Sequence, residues 1–179
     1  MTRTLTVEIL REQSCIPSYL WEYFLEWSRD AEVAHQLATR ERFGEERRRK
    51  LESALPFGLR CAVRFIRFDG DVLNGGIAQF LYNYTPREVL DTLDVLKVVG
   101  LDESAVVLEE ALAICREKYA WPDGSNERWL DGPSGDEPEF VELDGLRCND
   151  ESSQRDFERL DAFLRTRLED CIPSGSGAV

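Results

Sequence analysis

The sequence predicts a mainly α-helical protein: a single-domain antiparallel helix bundle with a Gly-Gly corner between helices and one long acidic loop. Three observations carry that prediction. Apolar residues recur at helical spacing in segment after segment, as in Val89–Leu90–Leu93–Leu96 and Leu108–Ala111–Leu112–Cys115. Stop and start residues fall between these segments, Thr85-Pro86 before one and Gly100 after it. Finally, 179 residues with a 42% hydrophobic and 10% aromatic content are enough to bury a core, which a disordered acidic chain could not do.

The elements follow in order. Residues 1–13 read as a short strand or a lead-in helix. Ser18 opens a helical pattern, with Leu20, Tyr23, Phe24, Trp27, Ala34 and Leu37 on one side and Trp21 on another. His35, the single histidine, has no acid, Cys or Ser motif beside it and so makes no catalytic constellation. Glu41 to Lys50 is a charged run containing the basic block Arg47–Lys50; it reads as a solvated face, or as a steering contact for the acidic half of a second copy. Residues 1–54 thus form a helical extension, 55–171 the main domain and 172–179 a flexible tail.

Pro56 begins a helix with Leu59, Val63 and Ile66 on one face and Arg60, Arg64 and Arg67 beside them, a basic stripe spaced to pair with carboxylates of the fold. That helix runs into Asp71–Asn83 (DVLNGGIAQFLYN), the stretch around which the chain is organised. Gly75-Gly76 stops the helix there, at a cost of about 1 kcal/mol per glycine relative to alanine. Asn74 is placed to cap the next segment, in which Gln79 and Asn83 share a face, so a hydrogen-bonded amide corner is expected. Thr85, Pro86 and Glu88 then form a capping box, and Gly100 ends that helix. Asp102 caps its partner, which returns after about two residues as an antiparallel hairpin.

Ala120 to Glu151 is rich in Gly and Pro and reads as loop, with Pro138–Leu146 as a short extended or helical piece and Trp121 and Trp129 as anchors. The last helix runs from a Ser153 cap, with Asp156 at the third position, to about Asp170. Phe157, Leu160, Leu164 and Leu168 face inward, while Glu151–Arg155 and Asp161–Arg165 pair along the helix.

Charge narrows the function. The net charge is −13, and residues 69–179 hold 25 Asp+Glu against 10 Lys+Arg. Such a chain repels phosphates, so direct nucleic-acid binding is not expected. Five scattered cysteines with no C-x-x-C pair read as buried thiols of a reducing compartment; neither metal nor cofactor is expected. No run is long enough to span a membrane and MTRTLTVEIL has no secretory core, so a cytoplasmic location is expected. No phosphate loop, nucleophile elbow or metal spacing suggests an enzyme.

Asn74-Gly75-Gly76, followed by Gln79-Phe80 and Asn83, resembles the NGG-x-x-QF-x-x-N signature of a bacterial domain family that includes an acidic DNA-mimic protein. The resemblance extends through Leu90–Leu93, Val99-Gly100 and Ser104–Cys115 to the closing Phe157–Leu164 pattern, roughly residues 55–170. It implies a helical binding protein that occupies the DNA site of a basic transcription regulator or nucleoid protein, and it allows a homodimer. Carboxylates on successive helical turns, about 5.4 Å apart, can imitate phosphate spacing. Glu88, Asp91 and Asp94 on one helix, with Glu103, Glu109, Glu110 and Glu117 on the next, are the candidate partner-binding residues. The alternatives are an immunity or antitoxin-like protein neutralising a basic toxin, and a small-ligand site at Asn74, Gln79 and Asn83.

Overall fold

The computed structural model describes residues 4–39, 45–125, 127, 129, 132, 134–147 and 149–173. The expectations for Glu41–Gly44, for the cysteine at 148 and for the tail after Pro173, and for the side chains of Leu37 and Arg48, lie outside them. Among the described residues there are eight α-helices and no strand: α1 (Val7–Arg11), α2 (Ile16–Thr39), α3 (Glu45–Ser53), α4 (Phe57–Asn83), α5 (Pro86–Val99), α6 (Asp102–Lys118), α7 (Pro138–Arg147) and α8 (Asp150–Arg165). A 3-10 turn, Leu168–Cys171, follows. The chain divides into two compact units, residues 1–63 with 161–179, and residues 64–160.

In the first unit, Thr6 caps α1 by accepting the Ile9 amide, so the ambiguous start is helical. The second helix starts at Ile16 rather than Ser18, because Asp161 takes the Ile16 amide at 2.7 Å and supplies the cap from a distant part of the chain. Its apolar stripe is buried at Ile16, Leu20, Tyr23 and Phe24, but Ala34 and Val33 are exposed, so the burial expected along the whole helix stops short. Trp21 stacks on Phe24 with ring centres 5.7 Å apart. Leu59, Cys61, Ala62 and Val63 complete this core with Leu164 and Cys171. The final helix ends at Arg165, and the chain to Cys171 tightens into the 3-10 turn instead of continuing to Asp170.

The second unit is built on the rest of α4, the α5–α6 hairpin, α7 and the start of α8. Thr85 and Glu88 form both halves of the expected capping box, and Gly100 closes α5 in the left-handed conformation at φ 81°. Two residues join α5 to α6, and Val89, Leu93 and Leu96 pack with Leu108, Ala111, Leu112 and Cys115 in the core. Two caps differ from expectation. Leu101, which has no capping side chain, precedes α6, and Asp102 lies inside the first turn. The last helix begins at Asp150, where Asn149 accepts the Ser152 amide at 2.8 Å; Ser153 therefore lies inside the helix and turns its hydroxyl to the core.

The stretch 120–137 carries no helix among its described residues, whereas the piece after it is the ten-residue α7. Trp121 and Trp129 are buried with their rings perpendicular and 4.8 Å apart, which anchors this stretch as expected.

Three buried thiols carry a testable pH signature. Burial pushes Cys61, Cys115 and Cys171 up to about 12. Above about pH 8.5 the unfolded chain sheds thiol protons that the native chain keeps. Their contribution is therefore complete below that pH and declines as pH rises toward 12, by about 1 kcal/mol per thiol over the first pH unit. Urea melts between pH 7.5 and 10 should show falling stability, and a thiol reagent at neutral pH should leave these three unmodified until the chain unfolds. Rapid native labelling of all three would contradict their burial.

Candidate functional site: a glycine corner, a buried ion cluster and an acidic hairpin

The glycine corner is real, but it is held differently from the sequence expectation. Helical dihedrals fail at Gly75 and Gly76, where Gly76 takes φ 80° and ψ 178°, a region essentially closed to other residues. Asn74 is exposed and does not cap the following turn. Asp144 of α7 does, accepting the Ile77 amide at 2.8 Å. A Cβ on Gly76 would run into that same carboxylate. Gln79 and Asn83 both donate to one oxygen of Asp71, at 3.3 and 3.1 Å. The amide network therefore exists, centred on a carboxylate that the sequence did not single out. Beside it, burial and then the Asp71 charge push the Tyr84 hydroxyl up to about 12. Phe80 is fully buried, edge-on to Phe68 at 5.1 Å.

The same unit holds a buried ion cluster that sequence reasoning missed. Arg147, at the end of α7, is 1% exposed and donates to Asp69 of α4 at 2.7 Å and to Ser104 of α6 at 2.5 Å. It also lies 3.3 Å from Asp156 of α8. Ser104 donates to Asp156, and Ser153 to the second oxygen of Asp69 at 2.9 Å. The guanidinium rests 5.5 Å from the centre of the Phe68 ring. Four helices of this unit thus meet on one cation. The available signal was Asp69 inside the apolar run FIRFDG, together with Ser104, Ser153 and Asp156 on otherwise apolar helix faces.

The seven candidate partner-binding carboxylates separate into two groups. Glu88 is spent on the Thr85 cap, and with Asp91 it faces Arg64 at 3.9 and 3.7 Å; Asp91 also pairs with Arg87 at 3.1 Å. The basic stripe of α4 thus serves as an internal seam, at least through Arg64. Glu103 pairs with Arg155 at 2.9 Å, and Glu109 with Lys97 of the facing helix at 2.5 Å. The Arg155 partner is Glu103, not the expected Glu151. Asp94, Glu110 and Glu117 are exposed and make no ion pair with a described residue, as does Asp102. Elsewhere, Arg116 holds the Asp123 carboxyl below its ordinary range by hydrogen bonding, and Lys118 does the same for Glu139. No group of three or more metal-ligating side chains occurs among the described residues. No helix, among these residues, is long and apolar enough to cross a membrane.

Fold and surface together define an all-helical acidic protein whose charge is concentrated in one unit: residues 64–160 hold 22 Asp+Glu against 10 Lys+Arg. The family of DMP19-like proteins matches residues 53–167. The chain belongs to that family. No curated protein matches it. No solved structure does either.

Proposed function

We propose that this protein is a DNA mimic that binds a basic DNA-binding protein, a transcription regulator or nucleoid protein, and blocks its DNA site without enzymatic chemistry. The observation that carries the reading is the exposed, unpaired set Asp94, Asp102, Glu110 and Glu117 on the α5–α6 hairpin. Glu110 and Glu117 are two helical turns apart on one helix, about 10 Å along its axis. Carboxylates already neutralised by arginine or lysine contribute little to a partner, whereas unpaired ones can replace phosphates by charge complementarity. Membership of the DMP19-like family supports the same reading.

The test is capture of the partner by tagged protein, elution in a salt gradient, and competition with duplex DNA. Release at moderate salt and displacement by DNA are expected. The combined variant Asp94→Asn, Glu110→Gln, Glu117→Gln should bind about tenfold more weakly at 0.1 M salt, three exposed pairs being worth a few tenths to 1 kcal/mol each. Asp91→Asn, which removes a carboxylate already shared by two arginines, should change affinity far less. A partner that resists DNA competition would overturn mimicry and favour neutralisation of a toxin.

A further inference from the structure

The first unit contains a cleft of about 600 Å³ between α1 and the 3-10 turn, lined by Arg11, Arg165, Arg167, Leu168, Glu169 and Asp170 among others. Its volume falls within the range of small-molecule sites. Three guanidiniums in one cleft are notable in a protein of net charge −13. Two are held in place. Arg165 donates to Asp161 at 2.6 Å and to the Gln13 and Ser14 carbonyls at 3.0 and 3.2 Å. Arg167 lies over the Phe163 ring at 5.0 Å, with Asp170 at 3.5 Å. Arg11, in the last turn of α1, is exposed; its charge attracts Glu8 one turn earlier, but it makes no hydrogen bond and no ion pair within 4 Å with a described residue.

We propose that this cleft binds a small oxyanion, a molecule bearing one phosphate or carboxylate together with hydroxyl or amino groups. Planar guanidinium forks recognise both oxyanions by paired hydrogen bonds, and forks already fixed by packing lose less freedom on binding. Arg11 supplies a fork that no hydrogen bond occupies. Glu169 and Asp170 select against a bare polyanion such as a nucleic-acid backbone and accept hydrogen bonds from the ligand's hydroxyl or amino groups. Leu168 gives the cleft an apolar surface. Arg11, Leu168, Glu169 and Asp170 lie outside the family match, and the cleft belongs to the other unit from the acidic hairpin, so this inference does not depend on DNA mimicry.

The experiment is calorimetric titration of the full chain at low ionic strength with inorganic phosphate, glycerol 3-phosphate and glycerate. Saturable binding at one site is expected for at least one probe, weakened fivefold or more by Arg11→Gln and unchanged by Arg87→Gln in the other unit. The probe that binds identifies a phosphate or a carboxylate as the recognised group. Thermal melts without ligand should be the same for Arg11→Gln and the parent, which separates loss of binding from loss of fold. No saturation by any probe up to about 10 mM, a threshold corresponding to a very weak complex, would overturn the proposal. Equal affinity in Arg11→Gln would overturn it as well.

Discussion

Replacing Arg147 by methionine is expected to destabilise the protein by about 3–5 kcal/mol, the cost of leaving buried charge without its counter-ion. The variant keeps most of the side-chain volume but leaves Asp69 and Asp156, 5% and 3% exposed, without the cation between them. In a chain of this length the melting temperature should fall by on the order of 10 °C. The informative comparison is the triple variant Arg147→Met, Asp69→Asn, Asp156→Asn. Neutralising all three charges removes the unpaired carboxylates, so much of the stability should return, because the penalty belongs to unpaired charge and not to missing packing. If the triple variant is as unstable as the single one, packing around the Phe68 ring is the larger effect.

The second large effect is expected at the corner. Gly76→Ala should cost about 2–4 kcal/mol: 1–3 for placing a side chain at this dihedral and about 1 for the lost helix cap. The new methyl group displaces Asp144 from the Ile77 amide, so strain and capping fail together. Asp144→Ala alone should lose only the capping contribution, since alanine keeps the helix propensity of α7. In its background, Gly76→Ala should be less damaging than in the parent, because the carboxylate in its path is gone. Urea denaturation of the four proteins measures this coupling as a double-mutant cycle. Additive losses would mean that the corner is set by backbone strain alone and that Asp144 is a bystander.

These two sites also show where sequence reasoning ran out. Local rules worked where both partners lie within one helical turn. The capping box of Thr85 and Glu88 is such a case, as is the left-handed end at Gly100. The same rules failed where a distant group supplied the cap. Asp161 caps α2 across 145 residues of chain, and Asp144 caps the second half of α4 across 67. Asn74 was a reasonable local cap and Ser18 a reasonable helix start, but carboxylates that only folding brings near cap Ile77 and Ile16 instead. Ser153 was misplaced for a related reason: it is a good cap by type, yet its hydroxyl meets Asp69, 84 residues away.

The candidate partner surface divides in the same way. Its carboxylates were legible because helical periodicity separates them from the apolar stripe of α5 and α6. Which of them remain unpaired was not, since Arg64 and Arg155 reach Glu88, Asp91 and Glu103 from other helices. By itself, then, the sequence determined the helical class, the glycine break, the α5–α6 hairpin and the excess of negative charge. All of these depend on residue type and on spacing within a few turns. Tertiary structure alone decided the partners: Arg147 with two aspartates, Asp144 at the corner, and the three candidate carboxylates left open at Asp94, Glu110 and Glu117. The physical reason is that an ionic or hydrogen-bonding side chain is satisfied by whatever lies about 3 Å away, and distance along the chain does not fix distance in space.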